Sequence, residues 1–115
     1  MFDFEKLVVY NKAKEYNKTV TTFLKDNEID KVTNGQLRRA SFSIMLNIAE
    51  GSGRFTKPDK RNFYVIARGS TFECVAIFDY LKDLKIIDQQ MFDSTYCSLE
   101  EISKMLYALI KGLEK

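Results

Sequence analysis

Apolar side chains recur at alternating steps of four and three residues through most of the 115-residue sequence. This spacing places them on one face of an α-helix. One proline and five glycines are the few residues that would interrupt long helices. The spaced positions are Val9, Ala13, Tyr16, Val20 and Phe23; then Phe63, Ala67, Ser70, Cys74, Ile77, Leu81 and Leu84; then Thr95, Leu99, Ile102, Leu106, Leu109 and Leu113.

Four helical segments, each with a residue suited to cap its start, account for nearly the whole sequence. The capping candidates are Asp3, Thr33, Thr56 and Asp88, because their short side chains can accept a hydrogen bond from the first turn. Segments of about 20 to 27 residues joined by short turns are typical of helical bundles. The sequence therefore predicts an all-α protein, an antiparallel up-down-up-down four-helix bundle, forming one domain over residues 1–115.

The composition argues against several classes of function. No apolar run reaches the roughly 20 residues that cross a bilayer, and the first residues lack a signal-peptide pattern, so we expect a cytoplasmic protein without membrane contact. Histidine is absent, so no catalytic residue, metal site or cofactor is expected. Cys74 and Cys97 lack CxxC spacing and are expected to be buried and reduced.

Positive charge is concentrated in the middle of the chain. Residues 38–68 contain seven basic and two acidic side chains, whereas the remainder contains 11 basic and 14 acidic ones. Five of the basic residues surround or follow the turn between the second and third helices, where a helix N-terminus also favours anions. We predict that they contact nucleic acid, although a solvated basic face is an alternative. These residues are Arg54, Lys57, Lys60, Arg61 and Arg68.

The glycine-containing turn itself does not match a nucleotide-binding loop. Its sequence GSGRFT follows no strand, lacks the GKS/T ending of a P-loop and misses the third glycine of a dinucleotide fingerprint. Gly51 and Gly53 are expected to end the second helix through a positive φ angle. Tyr64, beside Arg61 and Arg68, is the one candidate for base stacking, but a tyrosine at such a position more often only packs, so recognition by shape or charge is expected.

The two middle helices carry more apolar surface than one bundle core needs. Val65, Gly69, Phe72 and Ala76 form a second stripe opposite the core stripe of the third helix, and the second helix is apolar around most of its circumference. Contiguous exposed apolar surface generally marks an interface. We predict self-association through these helices; irregular packing inside one chain is the alternative.

A polar arc on the second helix is predicted to join a buried network or a subunit interface. Arg39, Ser43, Asn47 and Glu50 project from one side of that helix, and Glu73 lies near an edge of the third. Buried polar groups need partners, so we expect Glu50 and Glu73 to meet arginines such as Arg39 or Arg68. A catalytic carboxylate pair is the alternative, with no histidine, metal motif or nucleophile to support it.

Two stretches also carry a family resemblance. RRASFSIMLNIAEGSGR, followed after a basic turn by FYVIARGSTFE, resembles the signature of the 23S ribosomal RNA intervening-sequence proteins. It is also similar to the accessory variability determinant of diversity-generating retroelements. Many relatives have proline where this chain has Met45. The matching positions are Arg39, Ser43, Asn47, Ile48, Ala49, Glu50, Gly51, Arg54, Ala67, Gly69, Ser70 and Glu73.

The resemblance implies a barrel-like homopentamer of four-helix subunits with a cationic surface and no assigned enzyme activity. It also implies RNA, DNA, a reverse transcriptase or a ribonucleoprotein as partners. Two functions follow for this chain. One is an oligomeric nucleic-acid-binding module, and the other is a protein adapter in which the positive charge mainly steers association.

Overall fold

The computed structural model describes residues 1–114, which form a short 3₁₀ helix and four α-helices without a β-strand. The last residue of the predicted domain, Lys115, lies outside the described residues. The all-α prediction is confirmed. The 3₁₀ helix spans Asp3–Lys6, and the α-helices are α1 (Val8–Asp26), α2 (Lys31–Ser52), α3 (Lys57–Asp83) and α4 (Gln89–Leu113).

Contacts between neighbouring helices establish the antiparallel arrangement. In each pair of helices, the contacting residues run in opposite directions: residues later in one helix contact residues earlier in the other. The four-residue link between α1 and α2, which also pack together, reverses the chain in the same way. The contacts concerned are Arg39–Glu73, Ser43–Ser70 and Ser52–Lys60 between α2 and α3, and Arg61–Glu114, Arg68–Tyr107 and Lys82–Phe92 between α3 and α4.

The predicted apolar stripes form the core of the bundle. All five stripe residues of α1 are buried, and those of α3 and α4 are buried or half-buried apart from Leu84, which is half exposed where α3 ends. From α2, Leu37, Ala40, Ile44 and Ile48 are completely buried. Burying a large aliphatic side chain stabilises the fold by about 1.5 to 3 kcal/mol, so this core is the main source of stability.

The predicted starts of α3 and α4 are confirmed. Thr56 Oγ1 accepts a hydrogen bond from the backbone N–H of Asp59 at 3.2 Å, and Pro58 occupies the first turn of α3. The Asp88 carboxylate accepts one from the N–H of Met91 at 2.8 Å. Each cap supplies a partner to an N–H that has none within its own helix.

The predicted starts of the first two helices are wrong. Asp30, not Thr33, caps α2, since its carboxylate accepts the Thr33 backbone N–H at 3.0 Å. Hydrogen bonding from the Thr33 side chain, and then from its backbone, lowers the pKa of Asp30. Asp3 begins only a 3₁₀ turn, and an extended Leu7 separates that turn from α1. A capping pattern does not distinguish a single 3₁₀ turn from the first turn of an α-helix, because both begin with the same bend.

Candidate nucleic-acid interface

The turn between α2 and α3 is held by hydrogen bonds from both of its sides. The backbone N–H of Arg54 donates to the carbonyl of Gly51 at 3.2 Å. From α3, the ammonium Nζ of Lys60 donates to the carbonyl of Ser52 at 2.8 Å. A cation at the last carbonyls of a helix also compensates its dipole. Lys60 is thus predominantly a brace for this turn, in addition to contributing charge.

The glycines of the turn do not act through a positive φ angle, so that prediction is wrong. Gly53 has φ −91°, and no glycine in residues 1–114 has a positive φ. Gly51 is buried instead under α3, where an added Cβ would lie 2.8 Å from Tyr64 Cε1 and 3.0 Å from Phe63 Cβ. Close approach of the two helices therefore requires glycine here. The same approach buries Tyr64, so this side chain packs between the helices and is not available to stack on a base.

Two arginines of the turn already contact acidic side chains. The Arg54 guanidinium lies 4.4 Å from the centre of the Phe63 ring and 4.0 Å from the Glu50 carboxylate. Glu50 therefore lies near Arg54, rather than in a network with Arg39 or Arg68. The Arg61 guanidinium donates to Glu114 Oε1 at 3.2 Å. Both pairs are solvent-exposed, and such pairs contribute little to stability.

Glu114 joins the end of α4 to the start of α3. Its carboxylate accepts a hydrogen bond from Lys111 Nζ at 3.3 Å as well as from Arg61. These hydrogen bonds, that of Lys111 first, lower the pKa of Glu114. The carboxylate consequently stays ionised at neutral pH and competes with any external anion for Arg61.

Arg68 does not belong to the cluster at the turn. It lies on the flank of the bundle, seven residues or about 10 Å beyond Arg61 along α3. Its guanidinium lies 4.8 Å from the Phe72 ring and 5.5 Å from the Tyr107 ring, and its Nε is buried with no hydrogen-bond partner among the described residues. We define the basic turn by the remaining predicted residues, which are Arg54, Lys57, Lys60 and Arg61.

The predicted polar arc divides into two separate contacts between α2 and α3. Arg39 Nη2 lies 2.6 Å from Glu73 Oε2. Farther along the helices, Ser70 donates to Ser43 Oγ at 3.0 Å, and Asn47 Nδ2 donates to the same oxygen at 2.9 Å. Glu73 thus pairs with a different arginine from Glu50, and the two carboxylates do not form a catalytic pair.

The second stripe of α3 is exposed along its full length. Val65 and Phe72 are 40% and 55% exposed, and Gly69 and Ala76 are also exposed. A Cβ added at Gly69 would meet no atom within 4 Å. We call these four residues the outer face of α3. The alternative that they pack inside one chain is wrong.

A smaller apolar surface lies on the neighbouring helix. Phe42 and Leu46 of α2 are 48% and 44% exposed, and we call them the outer face of α2. They point away from the buried Ile44 because they lie two residues to either side of it. The chain thus carries two exposed apolar surfaces on adjacent helices.

The cysteines differ in environment, contrary to the prediction that both are buried. Cys74 is buried, and burial raises the pKa of its thiol to about 11, whereas Cys97 is exposed. Within residues 1–114 no group of three potential metal ligands occurs. In the same part of the chain, no helix combines the length and the hydropathy needed to cross a membrane.

One exposed aromatic residue was missed from the sequence. Phe55 lies inside the basic turn, and its side chain is fully exposed to solvent. Phe55 belongs to none of the apolar stripes and lies within a basic segment. This position in the sequence could have predicted that its side chain is exposed.

These features define a class: a four-helix bundle distinguished by its exposed basic and apolar surfaces. The particular family is identified by sequence. The sequence model of the 23S rRNA-intervening sequence proteins matches residues 5–108, and the chain belongs to that family.

A solved structure supports the same assignment. The chain is similar to a Bacteroides thetaiotaomicron protein of unknown function from the S23 ribosomal protein family, with a TM-score of 0.86 and 25% sequence identity. The similarity covers 90% of this chain and 99% of the other. No curated protein matches the sequence.

Proposed function

We propose that this protein is a non-enzymatic, self-associating module of the cytoplasm that binds nucleic acid through its basic turn. The observation that carries the proposal is the position of Arg54 and Lys57, which are exposed at one end of the bundle where α3 begins. Repeated contacts of basic side chains with phosphates provide affinity that depends little on base sequence. The family assignment, which links relatives by name to ribosomal RNA, agrees with this choice of ligand.

Self-association is supported by the exposed faces of α2 and α3. Leaving a side chain such as Phe72 in water forgoes about 1.5 to 3 kcal/mol of hydrophobic stabilisation. Glycine within a helix costs about 1 kcal/mol relative to alanine, yet Gly69 has no neighbour inside the chain that requires it. A helix from a second copy packed closely at Gly69 accounts for both observations.

Two different apolar faces favour a ring. When the outer face of α3 from one copy contacts the outer face of α2 from the next, the contact is head-to-tail, and such contacts form a ring when the rotation between copies closes. The family resemblance favours five copies. A ring repeats the basic turn, so several weak phosphate contacts act together.

Nucleic-acid binding is tested by reversing charges at the turn. Arg54→Glu combined with Lys57→Glu should weaken binding of a labelled RNA by about tenfold or more at low salt, and should flatten its salt dependence. Fluorescence anisotropy at two salt concentrations measures both quantities. Lys60 and Arg61 are left unchanged because their side chains are hydrogen-bonded to the Ser52 carbonyl and to Glu114, so that substituting them would change more than surface charge.

A matched control has the same change in net charge at the other end of the bundle. Lys25→Glu with Lys31→Glu alters two exposed residues where α1 ends and α2 begins. This variant should bind RNA with an affinity much closer to that of the unmodified protein. Equal losses in both variants would show that only overall charge matters, and no loss in either would refute the proposed function.

Self-association is tested by light scattering at micromolar concentration. Phe72→Glu should lower the molar mass toward that of one chain, because it places a charge in the proposed contact. Val8→Glu alters an equally exposed apolar residue, 60% exposed on α1, and should leave the mass unchanged. A monomeric unmodified protein would contradict this part of the proposal.

The exposed apolar faces also favour a second function, that of a protein adapter. In that case a protein partner, such as a reverse transcriptase or a ribonucleoprotein component, docks on the assembly. Pull-down with and without nuclease distinguishes the two functions. A defined partner retained after nuclease treatment, together with no RNA affinity of the purified protein, would favour the adapter.

A further inference from the structure

The aromatic residue in the basic turn has no structural role that its own chain explains. Phe55 is fully exposed, whereas the other aromatic residues near the turn are half-buried, as Phe63 is, or buried, as Tyr64 is. It is also separate from the outer faces of α2 and α3, since it lies in the loop between those helices. A contact between helices of two copies therefore does not account for it.

The backbone on both sides of Phe55 is hydrogen-bonded, which fixes the position at the end of the bundle from which its ring projects. Before it, the Arg54 N–H is bonded to the Gly51 carbonyl. After it, Thr56 caps α3, and the Lys60 N–H donates to the Thr56 carbonyl at 3.0 Å. Fixing the main chain in advance lowers the entropy that a bound ligand must remove.

An exposed apolar ring between Arg54 and Lys57 in the chain combines the two properties that unpaired nucleotides require. Basic side chains attract the phosphates, while the flat ring stacks on a base without hydrogen bonds to its edges. In a duplex the bases already stack on one another, and their faces are accessible only at the ends. Single-stranded RNA or DNA is therefore a better ligand for this arrangement than a duplex.

We propose that Phe55 stacks on an unpaired base and makes single-stranded nucleic acid the preferred ligand of the basic turn. This inference rests on the proposed function, which it deepens by naming the ligand class. Phe55 provides stacking, and Arg54 and Lys57 provide the charge that holds the strand against it.

Phe55→Ala tests the inference with three probes in anisotropy measurements. These are an oligouridylate and an oligodeoxythymidylate of about 12 nucleotides, and an RNA duplex of about 40 base pairs. Affinity for the single strands should fall by about fivefold to a hundredfold, with duplex affinity unchanged within about twofold. Loss with only one of the two single strands shows which sugar the site accepts.

Tyr80→Ala is the matched control, because it removes a 56% exposed aromatic ring near the opposite end of α3. It should not change single-strand affinity. Equal affinity of Phe55→Ala and the unmodified protein would overturn the inference alone, provided that the double variant of Arg54 and Lys57 still loses binding. If that double variant also binds normally, the proposed function itself is wrong.

Stacking can be measured directly by tryptophan fluorescence in a Phe55→Trp variant, because the protein contains no other tryptophan. This variant should retain binding, and the oligouridylate should quench its fluorescence strongly while the duplex quenches it little. Absence of quenching at saturating oligouridylate would contradict stacking. A blue shift that grows with protein concentration, without nucleic acid, would place the ring against a second copy and overturn the inference.

Discussion

Replacing the buried glycine at the end of α2 is expected to destabilise the protein through one identifiable contact. A Cβ at position 51 would lie 2.8 Å from Tyr64 Cε1 and 3.0 Å from Phe63 Cβ, both closer than van der Waals contact. The Tyr64 ring is buried, and the Phe63 Cβ is attached directly to the backbone of α3. Neither atom can move away without shifting the packing of the two helices.

The magnitude follows from two opposing terms. Overpacking a buried site costs about 1 to 3 kcal/mol, while replacing glycine by alanine inside a helix returns at most about 1 kcal/mol. Gly51 lies in the last turn of α2, where that return is smaller. We therefore expect Gly51→Ala to lower the free energy of unfolding by about 1 to 2 kcal/mol. For a chain of this size, each 1 kcal/mol lowers the melting temperature by about 4 °C.

Thermal and urea unfolding, followed by circular dichroism at one fixed protein concentration, measure the effect. Gly35→Ala is the matched control, because the same change in the same helix meets no atom within 4 Å. It should raise stability by about 0.5 to 1 kcal/mol. The two substitutions are thus expected to have opposite signs.

A double-mutant cycle attributes the loss to the named contact. A Tyr64→Ala background removes the nearest atom, Tyr64 Cε1, and leaves only Phe63 Cβ, so Gly51→Ala should cost clearly less there than in the unmodified protein. The reasoning is refuted if Gly51→Ala is as stable as the unmodified protein, or if its cost is unchanged by Tyr64→Ala.

Four further substitutions or treatments have expected outcomes. Lys85 has φ 63°, a left-handed conformation that favours glycine. Lys85→Gly should therefore raise the melting temperature, corresponding to a gain of about 0.5 to 1 kcal/mol in the free energy of unfolding. Iodoacetamide at pH 8 should add one label to the folded protein, at Cys97, as read by mass spectrometry. The pKa of Cys74 is about 11 in the folded protein, against an ordinary 9.0. The free energy of unfolding should therefore be constant below pH 9 and decrease between pH 9 and 11, because only the unfolded chain ionises this thiol there. Glu114→Gln should release Arg61 and raise RNA affinity by about twofold to fivefold in anisotropy measurements.

Each of these has a control and a contradicting result. Lys82→Gly, inside α3, should be destabilising, and a gain there equal to that at Lys85 would argue against a backbone effect. Urea should expose a second thiol, and two labels on the folded protein would contradict the burial of Cys74. Cys74→Ala should make the decline above pH 9 shallower, and the remaining decline comes from Tyr16 and Tyr64, because burial raises the pKa of both. Parallel curves would exclude the Cys74 thiol as a contributor. Unchanged RNA affinity in Glu114→Gln would show that Arg61 takes no part in binding.

The helices and their buried stripes follow from the sequence because helical spacing is a local property. Residues three and four apart share a face in any α-helix, so Val20 and Ile102 are assigned to the core without knowledge of the neighbouring helices. The exposure of Cys97 could have been predicted in the same way, because Cys97 lies two residues before the buried Leu99 and hence on the opposite side of α4. The caps at Thr56 and Asp88 were likewise local.

The functional surfaces depend on which helices meet, and this only the tertiary structure decided. The role of Gly51 arises from the approach of Tyr64, and the contact of Arg61 arises from Glu114, which is 53 residues away in the chain. Phe55 is exposed because no element within residues 1–114 covers its side chain. Local spacing sets the face on which a side chain lies, but long-range packing sets what that face touches.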